Sequence, residues 1–241
     1  MRRIAIFAEG QSALIFVRQM LFLLIDNSKL SFECWEWAAH NLRLCLKYNH
    51  YRSPEPEIHF TIIDARNDEG VLTALKEREK GLFEKGFEKI IALRDMYSQN
   101  YRRRAGAEIN DRVTNQFITE WQRAIQRMSN PSQIKMHISI MELEAWFLGM
   151  YNIFERIDGK LTVDYIADKL GFNLKSVDPQ KEFFHPAEKL SLVLALAARQ
   201  YGKSRDEVEN ICRQINTNDL CDAFKNGRCS SFRDFYEEMS N

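Results

Sequence analysis

The chain of 241 residues is long enough for one large domain, or for one domain with a helical appendage. Its 34 lysines and arginines balance 34 aspartates and glutamates, so overall charge favours no class of partner, and any nucleic-acid-binding surface must be a local patch. The five cysteines include no C-x-x-C pair, which argues against a cysteine metal site and predicts reduced thiols in the cytoplasm.

Membrane signals and several common enzyme motifs are missing from the sequence. The N-terminal apolar run is too short for a signal peptide. The longest apolar stretch, Ala13–Ile25, contains Arg18 and Gln19 and falls short of the roughly 20 residues that span a bilayer. The sequence also lacks histidine pairs with zinc-ligand spacing, a phosphate-binding P-loop and a G-x-S-x-G nucleophile elbow. We therefore expect no membrane partner, zinc enzyme, P-loop ATPase or α/β-hydrolase.

Strand-like and helix-like segments alternate through the first part of the chain. Strands are predicted at Arg3–Ala8, Glu57–Ile63, Lys89–Leu93 and Ile134–Met141. Helices are predicted at Ser12–Ile25, Ser31–Tyr48, Glu69–Phe83 and Glu108–Met128, and from about Glu142 onward. This order predicts an α/β fold with a mostly parallel sheet of about four strands flanked by helices.

The pattern changes near residue 158, after which no convincing strand occurs. Helices are predicted at Leu161–Leu170, Pro186–Arg199, Arg205–Ile215 and Ser231–Met239. We therefore predict an α/β core over residues 1–157 and a helical C-terminal extension over residues 158–241 that packs on the core.

Each of the four predicted strands runs into a carboxylate, and we take Glu9, Asp95 and Glu142 as candidates for a site. Asp64 is expected to be an ordinary residue at a strand end. The carboxyl ends of parallel strands share one edge of an open α/β sheet, so these distant acids are expected to meet there. Acids gathered in this way repel each other unless a proton or a cation lies between them, and Mg²⁺ prefers oxygen ligands. The residues therefore predict a metal-dependent site for phosphoryl transfer.

Glu142 is followed two positions later by a second acid, Glu144. Two residues apart, they share a face on a strand but lie about 200° apart on a helix. The apolar spacing over Leu143–Met150 indicates a helix, so only one acid is expected to point squarely at the site. We favour Glu142, which is nearer the strand end, and expect Glu144 to pair with a cation.

A local excess of positive charge lies between residues 94 and 127, where seven arginines stand against four acids. Arg102, Arg103 and Arg104 fall in a polar loop predicted over residues 98–106. This patch either binds the phosphate backbone of a nucleic acid or forms an ordinary solvated surface.

Several motifs together resemble a prokaryotic Toprim-like family, within the superfamily of topoisomerases, primases and OLD-type nucleases. That family carries E-G-x-[ST]-E near its start, an Asp-x-Tyr type triplet after an apolar strand, and then E-x-E-A-[WL]. The corresponding segments here are Glu9–Ala13, Asp95–Tyr97 and Glu142–Trp146. His185–Leu190 and Cys229–Phe235 resemble the C-terminal part of the family, so the resemblance covers nearly the whole chain.

The resemblance implies a Toprim-like core and a nuclease that hydrolyses phosphodiester bonds of DNA or RNA with Mg²⁺ or Mn²⁺. In that case Asp95 and Glu142 hold the metal with Glu144 as a helper, and Glu9 is a metal ligand or a general acid or base. Relatives of this family resemble components of anti-phage defence that work beside an ATPase. The resemblance thus implies an ATPase partner of the AAA or ABC type, and it leaves a homo-oligomer open.

Two departures from the family pattern support a different function. Ala13 replaces the second glutamate of the first motif, and Tyr97 replaces the second acid of the Asp-x-Asp found in other Toprim domains. Each change removes a metal ligand or proton carrier. The alternative is therefore a catalytically weakened Toprim-like scaffold that acts as a sensor or partner-binding subunit. A third alternative is a phosphoryl-transfer enzyme that acts on a nucleotide.

Overall fold

The protein is described by a computed structural model that covers residues 1–38, 41–50, 55–66, 68–106 and 108–240. The chain divides into two compact units that interleave along the sequence, whereas the predicted domains are separated at a single position. The first unit contains Met1–Arg94 and Gln116–Ile138, and the second contains Asp95–Asn115 and Ser139–Asn241.

A mixed sheet of six strands, in the order β3-β2-β4-β1-β5-β6, organises the α/β part of the chain. The strands are β1 Arg2–Ala8, β2 Leu30–Ala38, β3 Asn41–Asn49, β4 Ile58–Asp64, β5 Lys89–Asp95 and β6 Ile134–Ser139. Strand β1 pairs in parallel with β4 and β5, and β4 pairs in parallel with β2. Only β2 and β3 are paired antiparallel among the pairings whose register is described. The α/β class and the mostly parallel sheet are confirmed.

The centre of the sheet is strongly apolar. All residues of β1 from Ile4 to Ala8 are buried, as expected for a parallel strand covered on both faces. One side packs in a cluster that includes Phe7, Val71, Leu75 and Ile90. Burial of several large apolar side chains, each worth about 1.5–3 kcal/mol, fixes the first unit around β1.

The predicted helix over Ser31–Tyr48 is wrong, because this segment forms the β2–β3 hairpin, and so the sheet has six strands instead of about four. Leu30, Phe32 and Cys34 are buried at a period of two residues, which is a strand pattern. Phe32 lies directly opposite Tyr48 across the hairpin, and their rings stack at a centroid distance of 5.2 Å. Cross-strand aromatic packing of this kind outweighs the helical spacing of the apolar residues.

The helices of the structure are short outside the first unit. They are α1 Gly10–Leu24, α2 Asp68–Glu84, α3 Gln99–Ala105, α4 Asp111–Gln126, α5 Glu144–Gly149, α6 Asn152–Ile157, α7 Val163–Leu170, α8 Pro179–Glu182, α9 Pro186–Ala195, α10 Arg205–Cys212, α11 Thr217–Lys225 and α12 Ser230–Ser240. The described residues after β6 contain no strand, as predicted. Helix α3 occupies the segment over residues 98–106 that was predicted as a loop. No helix in the described part of the chain is long and apolar enough to cross a membrane.

The second unit has its own aromatic core. Trp146 on α5 packs against Phe232 and Phe235 of α12, with ring centroids 5.5 Å apart in both pairs. Gly149 of α5 lies so close to Cys229 that an added Cβ would stand 2.9 Å from its Sγ. These contacts hold α5, and therefore the acids just before and at its start, in a fixed position.

Candidate functional site

Glu9 follows β1 and lies at the N-cap position of α1. The next residue, Gly10, has a φ of 77°, which a glycine adopts without the strain of a side chain. Glu9 Oε2 stands 3.7 Å from Arg94 Nε, and both side chains are largely buried. The Arg94 guanidinium in turn lies 4.0 Å from the centre of the Trp121 ring. Glu9 is thus one half of an ion pair inside the first unit.

Asp95 ends β5 and belongs to the second unit. Its Oδ1 accepts hydrogen bonds from the Ser139 hydroxyl and from the Leu143 backbone N–H at 3.0 Å. Backbone bonds from Met96 N to Ser139 O and from Tyr97 N to Met141 O join the same two segments. Asp95 is therefore held in one orientation by the segment that carries Glu142 and Glu144.

Glu142 and Glu144 share one cation, the ammonium group of Lys203. Lys203 Nζ lies 2.9 Å from Glu142 Oε1 and 3.2 Å from Glu144 Oε2. The two glutamate side chains are 10% and 1% exposed, while the lysine side chain is 39% exposed. We call Asp95, Glu142, Glu144 and Lys203 the acid–lysine cluster. The two glutamates of the cluster are buried, and its lysine side chain is partly exposed.

The second oxygen of each glutamate also has a donor. The Tyr201 hydroxyl donates to Glu144 Oε1 at 2.7 Å, and the backbone N–H of Ala187 donates to Glu142 Oε2 at 2.9 Å. Ala187 lies in the first turn of α9, where a carboxylate is favoured by the unpaired N–H groups and the helix dipole. Both glutamates are therefore positioned through both oxygens.

Glu144 pairs with a cation, as predicted, but Glu142 reaches the same cation, so the two acids do not point in different directions as helical spacing had indicated. Helix α5 begins at Glu144, so Glu142 lies before the helix and its direction does not follow helical spacing. Met141, just before it, has a φ of 66°, and Lys203 has a φ of 62°. Non-glycine residues in this region are strained, and such strain is concentrated at functional sites.

Burial and neighbouring charges shift the pKa values of the groups in and around the acid–lysine cluster. Burial, together with the neighbouring Glu144 charge, raises the pKa of Asp95 to about 7. Burial opposes the charge of Lys203, but the adjacent Glu144 and Glu142 outweigh it and raise the pKa of Lys203. Burial, with Glu144 beside it, also raises the pKa of Tyr201, which keeps its hydroxyl as a donor. At neutral pH the cluster therefore has one fixed cation and one carboxyl that is close to half protonated.

The arrangement does not fit a divalent metal as it stands. Carboxylate oxygens are suitable ligands for Mg²⁺, but every oxygen of Glu142 and Glu144 already accepts a bond from Lys203, Tyr201 or Ala187. Across the described residues no group of three or more His, Cys, Asp or Glu side chains has a metal-binding arrangement. Lys203 thus pairs with both of the glutamates that were predicted to take part in metal binding.

The three predicted nucleic-acid-binding arginines lie on α3, in the second unit. Arg102, Arg103 and Arg104 are all exposed. The guanidinium carbon of Arg102 lies 5.2 Å from the centre of the Tyr97 ring. The Tyr97 hydroxyl is 3.4 Å from His185 Nε2, within hydrogen-bonding distance. The residue in the place of the second acid of Asp-x-Asp therefore packs with an arginine and a histidine.

Sequence reasoning missed Lys203, Tyr201 and Ser139. Lys203 is 61 residues from Glu142 and 59 from Glu144 along the chain, so no local pattern reveals the pairing. A local signal was present in the polar Gly-Lys-Ser segment between two predicted helices, but such a segment is typical of any loop that connects helices.

Comparisons of the chain with protein-family models, with curated proteins and with solved structures give no match. The Toprim-like resemblance therefore stays a prediction from the sequence motifs.

Proposed function

We propose that this chain hydrolyses phosphodiester bonds in nucleic acid, with the acid–lysine cluster as the reaction centre. The observation that carries the proposal is the ammonium group of Lys203, which belongs to a partly exposed side chain and pairs with two buried glutamates near Asp95. An ammonium group that is held in place on a partly exposed side chain can receive an anionic phosphate oxygen. It then stabilises the negative charge that develops as the phosphate reacts.

Asp95 is the residue that we assign to proton transfer. In its carboxylate form it takes a proton from a water molecule as the water oxygen bonds to phosphorus. The bond from phosphorus to the departing oxygen breaks, and the proton returns to that oxygen or to solvent. A carboxyl group with a pKa of about 7 populates both forms at neutral pH, which general acid–base catalysis requires. Ser139 and the Leu143 N–H orient it.

The exposed arginines of α3 support nucleic acid as the substrate. Arg102, Arg103 and Arg104 lie in the same unit as the cluster and carry three positive charges on one short helix. Arginines in such a group bind phosphates of either DNA or RNA without reading sequence. Work beside a partner ATPase in anti-phage defence is part of this proposal on the strength of the motif resemblance alone.

A catalytically weakened scaffold is the second candidate, and one observation favours it. All four oxygens of Glu142 and Glu144 have donors within the second unit, so the cluster can also serve only to hold α5, α9 and the segment around Lys203 together. Ala13 and Tyr97 point in the same direction. A chain of this kind would bind a partner or a nucleic acid without cutting it.

A cleavage assay separates these two candidates. Purified full-length chain is incubated with supercoiled plasmid, single-stranded DNA and total RNA, each with Mg²⁺, with Mn²⁺ and with EDTA. The proposal predicts cleavage of at least one polymer, and Asp95→Asn should lose it while the matched control Asp168→Asn retains it, because Asp168 is an exposed partner of Lys169. Absence of cleavage by the wild-type chain in every condition would favour the scaffold, and full activity of Asp95→Asn would refute the assigned role.

A further inference from the structure

A cavity of about 510 Å³ opens in the second unit beside α9 and α10. Pockets for small molecules commonly measure about 300–1,000 Å³ and combine an apolar lining with a few polar groups. The apolar lining here comes from Ile157, Leu194 and Ile211. Leu194 and Ile211 are buried, so they present a fixed surface on which a flat ring can pack.

The polar side chains that line the same cavity include Arg199 and three amides, Gln200, Asn210 and Gln214. The three amide side chains have no hydrogen-bond partner among the residues that the structure describes. Each amide offers both a donor and an acceptor. Three amides without a protein partner around one cavity can form hydrogen bonds with a planar ligand whose edge carries alternating donors and acceptors.

Arg199 supplies the positive charge of the cavity. Its Nη2 donates to the Ile157 carbonyl at 3.0 Å, which anchors the guanidinium while leaving further N–H donors on it. The acid in the lining, Glu207, is engaged elsewhere: its Oε2 accepts from the N–H groups of Gly202 and Ser204, both at 2.9 Å. The guanidinium of Arg199 is well suited to phosphate, so the Arg199 side of the cavity is the place where an anionic group can bind.

From these features we propose that the cavity is a binding site for a mononucleotide. A nucleobase meets the apolar lining and the amide side chains, and its single phosphate pairs with Arg199. The proposal does not depend on the nuclease activity, because the cavity and the acid–lysine cluster use different side chains.

The cavity nevertheless adjoins the cluster through one short segment, residues 198–203. Ala198 and Lys203, at its two ends, have φ values of 55° and 62°. Between them, Tyr201 lines the cavity and donates its hydroxyl to Glu144. The wall of the cavity and the position of Lys203 therefore depend on the same stretch of backbone.

Isothermal titration calorimetry on the full-length chain tests the site directly. The probes are AMP, GMP, CMP and UMP, with adenosine, ribose 5-phosphate and inorganic phosphate as partial ligands. We expect at least one mononucleotide to bind about tenfold or more tightly than each partial ligand, since both halves of the ligand contribute. Arg199→Gln should weaken that binding about tenfold or more, because a charge-assisted hydrogen bond is lost.

Two further variants keep the result interpretable. Arg213→Gln is the matched control, because Arg213 is an exposed arginine of the same unit that pairs with Glu209, and it should bind the nucleotide as the wild type does. Gln200→Ala removes an amide that holds no other residue, so it should weaken binding without a change in circular dichroism even if Arg199→Gln fails to fold. Failure of all four mononucleotides to bind at millimolar concentration would overturn the proposal. Equal affinity of the Arg199→Gln and Gln200→Ala variants and the wild type would also overturn it.

Discussion

The ammonium group of Lys203 pairs with two buried glutamates, Glu142 and Glu144, which would otherwise repel each other. Glu144 is almost fully buried, and an uncompensated charge there would be costly. The lysine lowers that cost and keeps its own charge, because the two acids raise its pKa. At the level of single residues, the candidate site is therefore a set of acids stabilised by a side chain of the protein itself.

Replacing Lys203 by methionine should destabilise the chain. Methionine keeps most of the unbranched apolar stem but leaves Glu142 and Glu144 without their shared cation. Loss of one partner of a buried ion pair costs about 3–5 kcal/mol, and the partial exposure of Lys203 reduces our expectation to about 1–3 kcal/mol. Urea unfolding at pH 7 measures the change. The control Lys169→Met breaks an exposed pair with Asp168 and should leave the transition unchanged. Equal transitions for both variants would show that the cluster does not stabilise the fold.

Asp95 should give the stability a distinctive dependence on pH. Its pKa is about 7 in the folded chain and ordinarily 3.8. Between about pH 4 and pH 7 the unfolded chain has lost this proton while the folded chain still holds it, so rising pH favours unfolding. Above about pH 7 both states are ionised, and the contribution of Asp95 no longer changes.

The variant Asp95→Asn isolates that dependence. The free energy of unfolding of the wild type, minus that of Asp95→Asn, should fall as pH rises from 4 to 7, with a slope of up to about 1.4 kcal/mol per pH unit. Urea titrations at half-unit intervals between pH 4.5 and 8.5 give this difference. Parallel curves for the two proteins across the range would mean that Asp95 has an ordinary pKa.

The sequence identified the acids of the site but not their cation. Asp95, Glu142 and Glu144 were found because each lies at or just after a strand end, which is a local signal. Lys203 and Tyr201 meet them through contacts between segments about 60 residues apart. No periodicity or short motif encodes such contacts, so only the folded chain reveals that one lysine pairs with both glutamates.

At the level of elements, the buried parallel strands were predictable because each is a short, continuous apolar run. The β2–β3 hairpin was not predictable, because its apolar residues fit both the two-residue period of a strand and the three-residue spacing found in a helix. Phe32 and Cys34 alternate as in a strand, while Phe32 and Trp35 are also three residues apart, as in a helix. Pairing with β4 and the stacking of Phe32 on Tyr48 decide between the two, and both are tertiary contacts.

The turn between β1 and α1 allows a direct test of backbone strain. Gly10→Ala places a side chain on a residue with a φ of 77°, so it should cost about 1–2 kcal/mol. The control Gly81→Ala lies inside α2 with open space around its Cα, and it should stabilise the chain by about 0.5–1 kcal/mol. Thermal unfolding of both variants should show shifts of opposite sign. An unchanged or raised transition temperature in Gly10→Ala would show that Gly10 is not conformationally required.

At the scale of the whole molecule, positive and negative charges balance. A balanced chain gains no general attraction to nucleic acid, so any affinity has to come from a local group such as the arginines of α3. Because each phosphate contact releases counterions, the salt dependence of binding reports how many of those arginines take part.

Replacing Arg102, Arg103 and Arg104 together by alanine should weaken nucleic-acid binding and reduce its salt dependence. The slope of log K against log salt concentration should fall by up to about 0.9 for each arginine that contacts duplex DNA, or about 0.7 for a single strand. Fluorescence anisotropy with labelled oligonucleotides between 50 and 300 mM salt, roughly the range over which such slopes are resolved, gives both quantities. Arg213→Ala serves as the control, and an unchanged slope in the triple variant would place the binding surface elsewhere.

The most direct test of the central claim is the cleavage rate of Lys203→Met, measured per folded molecule beside the wild type and Lys169→Met. Removal of one preorganised group that stabilises transition-state charge commonly costs about 100-fold or more in rate. We therefore predict a loss of that size in Lys203→Met on the polymer that the wild type cuts, with Lys169→Met unaffected. Cleavage by folded Lys203→Met at the wild-type rate would contradict the assignment of the acid–lysine cluster as the reaction centre.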